Sequence, residues 1–135
     1  MSANYLEIVK QVAQDLEPII EKIDSLDFCP IMWDESYALL HELEDIVKKI
    51  DEISEEQLPS ILDDDAFCNN SQNKAFVENL TVANHCFIDF SSRFRRISSV
   101  LEDEGPKEWY DEDGEYLSAQ LKKAKQHLDQ IITQI

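Results

Sequence analysis

The chain has 135 residues, 43% of them apolar, with 29 acidic against 12 basic side chains and a formal net charge of -17. That length supports one domain, 1–135, with its own core, and so many apolar residues in periodic order exclude a disordered chain. Two glycines and four prolines are too few for the many turns of an all-β fold, and the charge repels nucleic acid and anionic membranes.

The first helix is predicted from near Ser2, with an apolar stripe at Leu6, Val9, Ala13, Leu16, Ile20 and Ile23. Pro18 falls inside it. A kink is expected there, because the proline ring removes one hydrogen bond and crowds the carbonyl of Gln14; two shorter helices are the rival. A second helix is predicted from Asp34, a good N-cap, to Ile53, with Leu39, Leu43, Ile46, Ile50 and Ile53 on one face. The stretch SEEQLPSILDDDAFCNN follows. Ser54 and Gln57 have capping-box spacing, so a short helix near 55–62 is expected, then an acidic loop. Asp63-Asp64-Asp65 is a weak candidate for a divalent ion, with a solvated loop as the plainer reading.

Asn70 or Ser71 can cap a long third helix. Its stripe steps alternately by four and three through Phe76, Leu80, Ala83, Phe87, Phe90, Phe94, Ile97 and Leu101. Gly105-Pro106 ends it. The last segment repeats the pattern at Leu117, Leu121, Ala124, Leu128, Ile131 and Ile135. Four such helices are best buried as an antiparallel, up-and-down four-helix bundle, an all-α fold.

All three arginines, Arg93, Arg95 and Arg96, sit on the long third helix, within residues 66–100, which hold two acids against four bases. They are expected to face acidic neighbours and offset their mutual repulsion; an anion-binding patch is the alternative. The stretch RRIS also fits a kinase site at Ser98. In an up-and-down order the connections on either side of the bundle's acidic end meet. That pole gathers Trp33, Asp34, Glu35, Glu108, Trp109, Tyr110, Asp111, Glu112 and Asp113. Aromatics set among acids have the composition of a surface for a basic protein, while the plainer reading is a solvated bundle end.

Catalytic patterns fail one by one. Residues three before His41, His85 and His127 are Ala38, Val82 and Ala124, so the Glu-x-x-His pairs of a di-metal bundle are missing. DEDGEYLSAQ resembles a calcium loop only superficially: with Gly114 at position six, positions one and twelve are Trp109 and Gln120, where acids are required. His85 and Cys86 are helix neighbours that point apart, and a phosphorelay role at His85 lacks supporting context. No catalytic residue, metal or cofactor is therefore assigned. Cys29, Cys68 and Cys86 are an odd set without metal spacing, which suits a reducing compartment. With no apolar run of signal-peptide length or of about 18 residues, a cytoplasmic protein is expected. The function these features suggest is non-catalytic: an acidic protein that neutralises a basic partner, most concretely an immunity protein or antitoxin against a toxin such as a nuclease. A DNA mimic and a helical signalling or scaffold adaptor are the alternatives.

Overall fold

The computed structural model describes residues 3–26, 33–104 and 111–134. The described residues are helical, with no strand among them, and the fold is all-α.

Helix α1 spans Ala3–Ser25 without a break, so the two-helix rival is wrong. Pro18 lies inside it and is exposed. Exposure leaves room for the ring, but the missing N–H still strips the Gln14 carbonyl of its helical donor. The buried face is wider than the predicted stripe: Val12 and Ile19 are buried with Val9, Ala13, Leu16 and Ile23, while Ile20 is only half-buried. A helix with neighbours on two sides needs such a broad face.

Helix α2 spans Trp33–Glu52. Its predicted stripe is buried, and Leu40 and Val47 join it. The expected capping box does not form. Glu52 keeps helical dihedrals (φ -60°, ψ -42°), so the chain never breaks to need a cap. It widens instead into a π turn over Ile53–Gln57, with Leu58 N donating to the Ile53 carbonyl at 2.9 Å. The buried Ser54 hydroxyl donates back to the Asp51 carbonyl at 3.4 Å. Pro59 explains the end of this run: it has no N–H to continue the ladder, but it fits the first position of a new helix. That helix is α3, Pro59–Leu62.

The expected acidic loop is likewise more ordered than its composition suggests. Asp64 is extended (φ -81°, ψ 93°) and caps α4, Asp65–Cys68, accepting from Phe67 N at 3.1 Å. Asn70 caps the 3-10 turn Ser71–Asn73, accepting from Gln72 N at 3.0 Å. The turn leads into α5, Lys74–Glu104. Phe76, Leu80, Ala83, Phe87, Phe90 and Phe94 are buried as the stripe requires. Gly105 and Pro106 lie outside the described residues. Helix α6, Asp111–Thr133, buries Leu117, Leu121, Ala124, Leu128 and Ile131.

Helix α6 packs against both α5 and α1. Both pairs are antiparallel. Asn79 of α5 meets His127 of α6 while Arg93 meets Asp113. Glu17 of α1 meets Lys125 of α6 while Asp24 meets Ser118. Each fully buried Leu or Phe in these seams contributes about 1.5–3 kcal/mol. Helix α2 joins through α5. Glu42 in its middle reaches Lys22 near the end of α1, and Asp51 near its end reaches Arg95 in the later half of α5. A strict up-and-down order sets the end of α2 against the start of α5, so α2 does not share the registry of the other three.

One corner ties the short helices down. Phe67 stacks edge-on against Tyr5 at 5.0 Å and against Phe76 at 5.2 Å. Such pairs add about 0.5–1.5 kcal/mol each. The Tyr5 hydroxyl donates to Asp64 Oδ2 at 2.6 Å. The starts of α1 and α5 are therefore joined through α4.

Candidate functional site

The acidic pole has only part of its geometry on view. Glu108, Trp109 and Tyr110 lie outside the described residues. Trp33, Asp34 and Glu35 open α2, and Asp111 and Glu112 open α6, but their side chains also lie outside them. Flanking residues do meet. Asp24, near the end of α1, accepts from the Ser118 hydroxyl at 2.6 Å and pairs with Lys122 at 3.1 Å. The Ser118 hydroxyl first, and Lys122 second, hold its carboxyl below the usual range.

Asp113 is not a surface carboxylate. It is only 6% exposed, and its Oδ1 accepts from Arg93 Nε at 3.1 Å. The Arg93 guanidinium also lies 4.3 Å from the centre of the Tyr116 ring. A partner has no access to Asp113, so its assignment to a docking surface is corrected. An acid one turn into a helix that packs on α5 is turned inward by that packing.

The arginines divide their work. Arg93 joins α5 to α6, and Arg95 joins α5 to α2 through Asp51 Oδ2 at 2.6 Å. Both bonds agree with their expected role against acidic neighbours. Arg96 is exposed. Ser98 sits half-buried inside α5 rather than on an extended strand of chain.

Several side chains considered for catalysis have structural partners. The Cys68 thiol donates to the carbonyls of Ile61 at 3.5 Å and Leu62 at 3.4 Å. Burial, then the carboxylates of Asp64, Asp65 and Asp63, push its pKa up. Burial pushes the Cys86 thiol up as well. Both are poor nucleophiles at neutral pH. Cys29 lies outside the described residues. Asn79 Nδ2 donates to the Ala75 carbonyl, so its Oδ1 accepts from His127 at 2.9 Å and the proton sits on Nδ1. His85 is exposed on α5. Of the aspartate triplet, Asp64 is spent on Tyr5 and the α4 cap, and no group of three metal-ligating side chains assembles among the described residues.

Sequence reasoning missed a cleft of about 490 Å³ between α1 and α2. Gln14, Asp15 and Pro18 line one wall, and Glu52, Ile53 and Gln57 the other. Its signal was present as two helix irregularities, the internal proline and the run ending in Pro59. Nothing in a one-dimensional pattern says that they face each other.

No described helix is long and apolar enough to cross a membrane. No family model matches the chain, and neither the curated proteins nor the solved structures contain a significant match.

Proposed function

We propose that this chain is a non-catalytic acidic binding protein that neutralises a basic protein partner in a reducing cytoplasm, as an immunity protein or antitoxin does. One observation carries the reading. Within the arginine cluster, Arg93 and Arg95 are tied to carboxylates of neighbouring helices by the Arg93–Asp113 and Arg95–Asp51 pairs, while Arg96 is exposed. Lys22, Lys122 and Lys125 are likewise held by carboxylates of neighbouring helices. With 29 acids against 12 bases, the outward excess is carboxylate. Such a surface speeds encounter with a basic protein and competes with nucleic acid for it.

The architecture proposed for this role is the antiparallel four-helix bundle, with α2 its most loosely registered member. Trp33, Asp34 and Glu35 with Glu108, Trp109, Tyr110, Asp111 and Glu112 form the proposed docking pole. The test is affinity capture from the native cell at moderate salt, followed by assay of the captured protein's activity with and without this chain. A basic enzyme that loses activity at one-to-one stoichiometry is the expected result. A chain that turns over a substrate itself, or captures only acidic proteins, contradicts the reading. Capture of a DNA-binding protein released by DNA supports the mimic instead.

A further inference from the structure

The α1–α2 cleft joins features that regular helix packing does not leave together. Pro18 removes the donor for the Gln14 carbonyl, and Gln14 lines the cleft. Across from it the π turn brings Ile53 and Gln57 to the lining. Helix irregularities of this kind recur at binding sites. Gln57 Oε1 is buried and has no hydrogen-bond partner. A buried acceptor left unpaired costs free energy, and a donor arriving from outside removes that cost. Ile19, Ile46 and Ile53, each under 8% exposed, supply an apolar wall. Asp15 and Glu52 stand exposed on the lining. Lys22 is committed to Glu42 at 3.1 Å, which leaves Lys49 as the opposing charge.

The lining thus sets two carboxylates, Asp15 and Glu52, against two lysines, of which Lys22 is already paired with Glu42, over an apolar wall in a chain of net charge -17. A guanidinium matches it. It carries five donors in a fixed fork, no acceptor, a permanent positive charge and a methylene stem that lies well on isoleucine. A phosphate or carboxylate ligand would meet Asp15 and Glu52 as repulsion, with Lys49 as the lining cation not already paired with Glu42. The volume, about 490 Å³, is in the range of side-chain and small-ligand sites.

We propose that the α1–α2 cleft receives an arginine side chain presented by the basic partner, with Glu52 and Asp15 holding the guanidinium and Gln57 accepting from it. This rests on the reading of the chain as a binder of basic proteins and adds the residue that it recognises. It also gives a reason for an acidic protein to select one basic surface among many, since lysine offers a compact charge and no fork.

The experiment uses the full chain and a probe that needs no partner. Nα-acetyl-arginine methylamide is titrated to millimolar concentration and followed by amide chemical shifts. The lysine and citrulline analogues serve as controls for charge alone and shape alone. The expected result is saturable shifts centred on Asp15, Glu52, Ile53 and Gln57 with arginine only. Glu52→Gln and Gln57→Leu each weaken binding at least tenfold at unchanged melting temperature, Lys49→Ala tightens it, and Glu78→Gln on α5 leaves it unchanged. Equal shifts with lysine, or shifts scattered over the acidic surface, overturn the proposal. The two readings separate cleanly. Capture of a basic partner that binds Gln57→Leu with native kinetics removes the cleft and keeps the function. Arginine saturation of the cleft without any basic partner keeps the cleft and removes the function.

Discussion

The seam between α5 and α6 and the cleft between α1 and α2 are built on opposite principles. Along the seam, Phe87, Leu121 and Leu128 are fully buried at helical spacing, and the charged pair at its end is itself shielded. Across the cleft, a helix carrying an internal proline and one running into a π turn stand apart over about 490 Å³, and the ion pair that bridges them, Lys22–Glu42, is half exposed. The seam stabilises and the cleft is left available. The binding role proposed for this chain would use both, because a face that is completed internally has nothing left for a partner.

Truncation in the two regions gives the widest contrast. Phe87→Ala is expected to cost about 3–5 kcal/mol, because the ring is wholly enclosed. Ile46→Ala, which opens onto the cleft, should cost about 2 kcal/mol, since water reaches part of the space left behind. Chemical denaturation measures both, and equal losses would mean that the cleft is as closely packed as the seam.

The two arginine pairs sharpen the same point. Arg93→Met strands the buried carboxylate of Asp113 and should cost about 3 kcal/mol. Arg95→Met should cost less than about 1 kcal/mol, because that arginine is 57% exposed and the bond is screened. Melts in low and high salt separate them: only the Arg95 contribution should fade as salt rises. The reverse order would show that α2, rather than α6, anchors α5.

Acid gives the smallest and most local effect. The carboxyls of Asp24 and Asp64 are both held below the usual aspartate range, by the Ser118 and Lys122 bonds in one case and chiefly by the Tyr5 hydroxyl in the other. A folded pKa below the unfolded one stabilises above the unfolded value, and that contribution fades as pH falls through the folded pKa. The loss should therefore appear below about pH 4. Asp24→Asn and Asp64→Asn should each flatten that limb of the stability curve, and a limb of unchanged slope in both would place the acid sensitivity elsewhere.

Much of the helical frame was legible in the sequence, and the reasons are local. The stripes on α5 and α6 follow the helical period without interruption, and Phe76 to Phe94 on the one and Leu117 to Ile131 on the other are buried. Asn70 carries its cap in its own side chain. The short acidic segment read poorly because Asp64 is placed by Tyr5, far off in the chain. Ser54 and Gln57 have the spacing of a cap, but a cap needs a chain break that Glu52 does not make. Asp113 shows the same limit at the site. Composition counts a carboxylate, and only packing decides whether it faces water or an arginine.

The most direct test of the central claim is the association and dissociation kinetics of the captured basic partner at two salt concentrations. The account predicts that association slows steeply with salt, and that Glu108→Lys with Glu112→Lys lowers the association rate and flattens that dependence. Trp109→Ala should speed dissociation by tenfold or more, as loss of a buried anchor does, while Arg95→Ala leaves both rates near native. Association indifferent to salt and to the charge reversals, with binding abolished by Arg95→Ala, would contradict it and move the working surface to α5.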